Sequence, residues 1–388
     1  MSEPLAVYVH IPFCTVKCGY CDFNAYAGLD ALKGAYHHAL VAEVAAWAAT
    51  LAGRRVTSVS FGGGTPSEVP VRHLAAVIEA LASRSHLAKD AEISVEVNPG
   101  TLGLLAMREL RAAGVNRVSF GVQSFNAEEL RLLDRTHSPE AGAAALSLAR
   151  EAGFTNVSLD LIYGLPGQAA GAWLEGLDRA IQLVPEHLSC YALTIEPGTP
   201  FARHVAEGDM AMPDPDTAAD CYESAEGRLA EAGYTHYEIS NWARAGHESR
   251  HNLVYWTGGE YLGIGAGAHG YLGGRRYENV AQPRAYIAAS RVATSPPWGV
   301  FHEIDPVTRT FDWLETRLRL VAGFRTADFE AEFGRTVADA VGESLDRLRA
   351  AGLLTLGDGT LRLTARGRLL HSEVCVAFLT ELRKTVSM

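Results

Sequence analysis

His10-Ile11-Pro12-Phe13-Cys14-Thr15-Val16-Lys17-Cys18-Gly19-Tyr20-Cys21-Asp22-Phe23 carries three cysteines at C-x3-C-x2-C spacing, just after the apolar segment Leu5 to Val9. Three thiolates hold three irons of a four-iron, four-sulfur cluster and leave the fourth iron without a protein ligand. An open coordination position separates a reactive centre from a purely structural one. A structural zinc site asks for a fourth Cys or His at short spacing, and position 23 is Phe. A disulfide framework is disfavoured, because six cysteines in 388 residues are sparse. Cys190, Cys221 and Cys375 stand alone and read as small buried hydrophobes.

Around this stretch, β-rich runs alternate with helical patterns. Strands are expected at Leu5–His10, Val56–Phe61, Ile93–Val97, Asn116–Phe120, Asn156–Ile162 and His187–Leu193. Apolar residues recur at helical spacing over Ala31–Leu51, Arg72–Leu81, Leu104–Ala113, Glu140–Ala152 and Trp173–Leu183, and Gly53, Gly114 and Gly153 close three of these segments. Six βα units in a row imply a parallel sheet with helices outside, as an incomplete TIM-like barrel or a doubly wound sheet. The polar residues favour the barrel. The cysteine loop follows strand one, and Gly62-Gly63-Gly64-Thr65-Pro66 follows strand two. Glu96 and Asn98 end strand three, Gln123 and Ser124 follow strand four, Asp160 and Tyr163 end strand five, and Tyr191 ends strand six. Functional residues at every strand's C-terminal end belong to one barrel mouth, whereas a doubly wound sheet gathers them at one switch point.

Pro283–Pro306 carries turn residues and reads as a bridge. Beyond it come helical patterns at Phe311–Ala322 and Val337–Ala351, a hairpin over Leu353–Leu363 turning at Gly357-Asp358-Gly359, and a helix through Leu369–Leu382. This order predicts a small winged-helix-like α+β domain at 300–388 behind a partial barrel at 1–285. A net charge of −11 disfavours a general nucleic-acid surface. Met1-Ser2-Glu3-Pro4 does not open a signal peptide and there is no run of about twenty apolar residues, so a cytosolic protein is expected.

The glycines of Gly62-Gly63-Gly64 let backbone approach a ligand closely. Glu96, Gln123, Arg135 and Asp160 offer carboxylate, amide and cation on the same rim. The cysteine spacing resembles that of the radical S-adenosylmethionine (SAM) proteins. In them the open iron takes the amino and carboxylate groups of SAM, and a cluster electron cleaves the sulfonium. His10-Ile11-Pro12-Phe13-Cys14, Gly62-Gly63-Gly64-Thr65-Pro66, Ser119-Phe120-Gly121-Val122-Gln123-Ser124-Phe125 and Asp160-Leu161-Ile162-Tyr163-Gly164-Leu165-Pro166-Gly167 are similar to the motifs of one branch. That branch holds the oxygen-independent coproporphyrinogen III oxidases and the HemW-type haem chaperones. The resemblance spans nearly the whole chain, and the C-terminal domain resembles that of HemN. It implies a [4Fe-4S] cluster on Cys14, Cys18 and Cys21. It also implies SAM contacts at Tyr8, Tyr20, Gly63, Gly64, Thr65, Glu96, Gln123, Arg135 and Asp160.

Within the branch, the oxidases carry a fourth Cys two residues after the third and a substantial extension before the cluster. Here the fourth position is Phe23 and only a short segment precedes Cys14. His251-Asn252-Leu253-Val254-Tyr255-Trp256 is similar to the H-N-x-x-Y-W motif of the chaperones. His251 offers an imidazole to haem iron, Tyr255 a phenolate and Trp256 a flat apolar face. The same residues read without the resemblance are a hydrogen-bonded structural His and a core Trp. The run Gly258–Gly274 follows, with His269 as a second ligand candidate, and Asn241-Trp242 is assigned to the same wall.

The resemblance therefore implies a cytosolic haem chaperone in porphyrin metabolism. It would pass haem to membrane-bound respiratory haemoproteins and admits a cluster-dependent dimer. The alternative is oxidative decarboxylation of coproporphyrinogen III, which Phe23 speaks against. A third class, RNA modification through the local arginines Arg347, Arg349, Arg362, Arg366 and Arg368, is set against the overall negative charge.

Overall fold

The computed structural model describes residues 4–292, 296 and 298–386; Met1 to Glu3 and part of the expected bridge lie outside the described residues. Six strands run parallel and in chain order: β1 (Pro4–Ile11), β2 (Arg55–Gly63), β3 (His86–Val97), β4 (Arg117–Gln123), β5 (Val157–Tyr163) and β6 (His187–Ala192). Each parallel step is bridged by a crossover containing a helix, as parallel pairing requires. The helices are Lys33–Ala46, Val71–Ala82, Leu104–Ala112, Pro139–Glu151 and Ala170–Gln182. Gly114 and Gly153, just past two of them, have φ of 100° and 90°, the left-handed closure that lacks a Cβ penalty.

The strands alternate with period two. Val7, Val9, Val59, Phe61, Ile93, Val95, Val118, Phe120, Leu159 and Leu188 point to the helices and are essentially fully buried. Their neighbours Tyr8, Ser58, Ser60, Glu92, Ser94, Glu96, Ser119, Ser158, Asp160 and His187 occupy the other face, the barrel interior. Burying each large aliphatic side chain contributes roughly 1.5–3 kcal/mol, so the helix-facing rows hold the sheet. The inner rows are left free for polar chemistry.

The barrel does not close on itself. β1 pairs on its far side with the parallel strand Tyr261–Ile264, which continues through antiparallel strands His269–Leu272, Arg275–Asn279 and Gly299–His302. β6 pairs with antiparallel Asn241–Ala243. The expected bridge is thus partly structured: Pro283–Ala289 is helical and Gly299–His302 is the edge strand of the large sheet. Short segments of this kind carry too few residues for periodicity to show.

A second core forms around Trp313, Phe324, Phe329, Val341, Leu345 and Phe378. It is built by helices Pro306–Leu318, Thr326–Phe333, Val337–Ala350 and His371–Val386 with a three-stranded sheet of Phe324–Arg325, Leu354–Gly357 and Thr360–Leu363. The wing turns at Asp358-Gly359, both at positive φ (50° and 71°), as a two-residue hairpin turn demands. Polar contacts dock this unit: Arg319 donates to the buried Glu238 carboxylate at 3.1 Å, and Arg276 pairs with Asp312 at 3.0 Å.

Candidate metal centre and cofactor pocket

β1 ends at Ile11 and releases the cysteine loop over the barrel mouth. The loop is pinned at several points. Gly64 N–H donates to Ile11 O at 2.8 Å, Gly19 N–H to Asp134 Oδ2 at 3.0 Å, and Cys21 N–H to Cys18 O at 3.1 Å. The side-chain amide of Asn24 donates to Ala266 O and Ala281 O, each at 2.9 Å. His10 Nε2 donates to Asn24 O at 2.9 Å. Its Nδ1 therefore accepts the Tyr8 hydroxyl at 3.0 Å, and burial lowers the His10 pKa, which keeps the ring neutral.

Cys14, Cys18 and Cys21 are free, half-buried, and line one cavity of about 380 Å³. Burial raises the thiol pKa of Cys14 and Cys21, and the neighbouring sulfurs add to it. The Cys14 sulfur lies 3.4 Å from Thr65 Oγ1, and Arg135 Nη1 is 3.7 Å from the Cys18 sulfur. Three soft sulfur donors on a single wall, with no fourth Cys or His among the lining residues, match a cluster held by three ligands.

All the expected SAM contacts except Tyr8 line this same cavity: Tyr20, Gly63, Gly64, Thr65, Glu96, Gln123, Arg135 and Asp160. Tyr8 lies deeper in the barrel on the His10 ring. The glycines are required by geometry. A Cβ on Gly63 (φ 113°) would sit 2.5 Å from the His10 ring, and one on Gly64 would sit 2.8 Å from Phe13 O and 3.0 Å from the Cys14 sulfur. Gly63 N–H donates to Glu96 Oε2 at 3.3 Å. Burial, then the nearby Asp160 carboxyl, raises the Glu96 pKa to about 8. Asp160 is also raised by burial, against hydrogen bonds from Ser189 and Ser119; Ser119 Oγ donates to Oδ1 at 2.9 Å. Two carboxyls in one desolvated cavity suit a ligand that brings positive charge.

Arg135 is fixed on the far wall by Asn98 Oδ1 and Gly121 O, both at 2.7 Å, while its buried Nε has no partner among the described residues. Gln123 holds left-handed backbone (φ 65°) at the end of β4, a costly conformation for a residue with a side chain. Asn98 and Tyr191, strand-end residues in the sequence reading, complete the wall together with Ser119 and Asp134. Asn98 also donates to Thr65 Oγ1 at 3.1 Å, and Ser119, Asp134 and Tyr191 hold or line it. Asp134 carries no such strand-end signal, because it stands in the segment after β4 and reaches the cysteine loop only through the fold.

The H-N-x-x-Y-W segment forms the helix Arg250–Trp256, capped by Ser249. It plugs the opposite end of the barrel. His251 is 2% exposed; Ser58 Oγ lies 3.0 Å from its Nδ1 and the Tyr255 hydroxyl 2.8 Å from its Nε2. Burial lowers its pKa to about 3. As placed, the imidazole has no free nitrogen. Trp256 instead lies against the C-terminal domain, with the Arg319 guanidinium 4.4 Å from its ring centre. His269 is an exposed strand residue near Glu278, at 3.8 Å. Asn241 bonds the buried Glu238, and Trp242 stacks on His236 at 4.2 Å, so this pair is core.

The Radical SAM superfamily matches residues 8–180, and the HemN C-terminal domain matches residues 308–370. The fold is similar to that of coproporphyrinogen III oxidase (HemN) from Escherichia coli, described as a radical SAM enzyme, with a TM-score of 0.85 at 28% identity over 98% of this chain and 91% of that one. Fold and cysteine loop together define a radical SAM protein with a HemN-type C-terminal domain. The chain is 42% identical over 377 residues to the haem chaperone HemW of Mycobacterium tuberculosis, covering 96% of this chain and 94% of that one. It is 36% identical over 388 residues to the HemW of Escherichia coli K12, covering 97% and 99%. The chain belongs to the HemW family.

Proposed function

We propose that this chain is a haem chaperone of the cytosol. In this role it holds a [4Fe-4S] cluster on Cys14, Cys18 and Cys21, keeps SAM beside it, carries haem and delivers it to membrane-bound respiratory haemoproteins. The observation that carries this role is the near full-length likeness to curated proteins named haem chaperones, together with Phe23 where the oxidases have their fourth Cys. Phe23 is 61% exposed at the cavity rim, and its ring offers no ligand atom. Among the described residues no helix is long and apolar enough to cross a membrane.

A bound cluster supplies a low-potential electron and an iron corner open to the methionine end of SAM. The chain's own groups do the rest. Gly63 and Gly64 would bring backbone to the ligand, Glu96 would accept from its amino group, Asp160 and Gln123 would take its ribose and amino-acid polar groups, and Arg135 sets a cation beside the Cys18 sulfur. Tyr20, packed edge-on against Phe201 at 6.1 Å, shields the cavity from water.

Anaerobic reconstitution with iron and sulfide, followed by haem and coproporphyrinogen assays on one sample, tests the role. A cluster chromophore absent from a Cys14/Cys18/Cys21→Ala variant, saturable haem binding, and no protoporphyrinogen are expected. Turnover of coproporphyrinogen, or a preparation that binds no haem, would overturn it.

A further inference from the structure

A second cleft, of about 350 Å³, lies between the barrel's closed end and helix Pro306–Leu318. Such a volume falls in the ~300–1,000 Å³ range of ligand sites, and domain interfaces are where such sites concentrate. The barrel contributes Tyr255, Trp256 and Tyr261 to its walls, and the C-terminal domain contributes Trp313. Tyr255 and Tyr261 meet edge-on at 4.7 Å. The buried Nε1 of Trp256 has no hydrogen-bond partner among the described residues.

The cleft's charges are unequal: three guanidiniums, Arg276, Arg309 and Arg317, face two carboxylates, Asp312 and Glu332. Arg276 pairs with Asp312, and Arg309 with Glu332. Among the described residues Arg317 donates to carbonyls, Thr257 O at 2.6 Å and Trp313 O at 3.4 Å. Burial lowers its pKa to about 10. Gly258, at φ 71°, makes room for it; a Cβ there would sit 2.7 Å from Arg317 Nη2. The guanidinium lies over the Trp313 ring, 4.0 Å from its centre. A half-buried cation with no ion pair among the described residues, beside the uncovered rings of Tyr255 and Tyr261 and the edge of Trp256, is a receptor for a flat apolar ligand that carries an acid group.

We propose that this interdomain cleft is where the chain seats a planar, carboxylate-bearing macrocycle, with the ring against Trp256 and Tyr261 and one acid group on Arg317. The proposal rests on the haem-carrier role and gives that role a location. Trp256 and Tyr255, which the sequence pattern groups with His251, reach this cleft, whereas His251 faces into the barrel. Such a seat is separate from the cluster cavity, which lies at the other end of the strands, so loading and cluster chemistry occupy different faces.

Haemin titration of the reconstituted full chain, followed by absorbance and tryptophan fluorescence, tests the assignment. Wild type, Arg317→Gln and Trp256→Leu are compared, with Arg72→Gln as a surface control. Each cleft variant should weaken haem about tenfold at unchanged cluster content, and Arg72→Gln should not. Haemin dimethyl ester should bind wild type and Arg317→Gln alike. Hydrogen exchange on wild type, which needs no variant to fold, should show haem-dependent protection over residues 255–261 and 309–317. Tight haem binding without that protection, and unchanged in both cleft variants, overturns the cleft while leaving the carrier role standing. No saturable haem binding to wild type overturns both.

Discussion

Arg135 and Cys18 are held 3.7 Å apart, guanidinium to sulfur, by two neutral acceptors on Arg135 that contribute no competing charge. At this separation a unit-charge pair is worth on the order of 4 kcal/mol in a partly desolvated site. Arg135→Gln is therefore expected to loosen the cluster. After anaerobic reconstitution, its absorbance should bleach about tenfold faster under a chelator, with Arg135→Lys intermediate because lysine cannot reproduce the fork to Asn98 and Gly121. Equal bleaching rates for all three proteins would show that the cation does not support the sulfur.

Glu96 should report SAM by its proton. With a pKa raised to about 8 it is mostly protonated at pH 7, and a sulfonium ligand with an amino N–H to donate favours the charged carboxylate. Binding is then expected to release close to one proton at pH 7 and almost none above about pH 9. Titration calorimetry in two buffers of different ionisation enthalpy reads this directly. Glu96→Gln should abolish the buffer dependence and weaken SAM about tenfold. Identical heats in both buffers for the wild type would remove Glu96 from the SAM site.

His251→Ala should behave as a loss of structure before a loss of haem. It leaves the Ser58 and Tyr255 hydroxyls without their shared partner and opens a cavity, together about 2–4 kcal/mol. A lower Tm with haem affinity within about twofold of wild type is expected. A vanished Soret band at unchanged Tm would instead put the imidazole on the iron.

Glu43 is a buried carboxyl inside the first barrel helix. Gly265 N–H, Asn279 Nδ2 and the Tyr286 hydroxyl donate to it at 2.8, 2.7 and 2.5 Å. Glu43→Ala orphans these donors and should cost about 3 kcal/mol or more. Burial raises its pKa to about 7, so the folded state prefers the protonated form. Its stabilising contribution is full below the unfolded carboxyl pKa, falls as pH rises through about 7, and is flat above. The stability difference between wild type and Glu43→Gln, followed by urea unfolding from pH 4 to 8, should trace that decline. A difference that grows with pH would reverse the assignment.

Two glycines should respond oppositely to alanine. Gly63→Ala collides with His10 at positive φ and should lose cluster and SAM together. Gly176, inside helix Ala170–Gln182 with nothing near its would-be Cβ, should gain about 0.5–1 kcal/mol as Ala. Thermal melts beside cluster absorbance distinguish the two, and a stabilised Gly63→Ala would refute the cradle.

The six parallel strands were legible because apolar residues alternate along them, as in Val7-x-Val9, Val59-x-Phe61, Val95-x-Val97, Val118-x-Phe120 and Leu159-x-Leu161, and because Cys, Gly, Glu, Gln and Asp fall at their ends. Most of the pocket followed from those ends. Helices Pro215–Glu231 and Arg250–Trp256 and the strand Gly299–His302 are not legible in the sequence. The first has a weak apolar stripe, and the other two are too short to establish a period. The interior orientation of His251 was invisible for a different reason. Its partners Ser58 and Glu92 stand 193 and 159 residues away, and only the closed fold brings them to it.

The Asn24 amide ties the cysteine loop to carbonyls 242 and 257 residues further along the chain. A nascent polypeptide that has emerged only as far as its first six strands has its three sulfurs but not the brace that shapes them. Metal loading therefore belongs after synthesis of the distal sheet edge. A truncated or stalled product would be a poor recipient for iron and sulfide even with every ligand present.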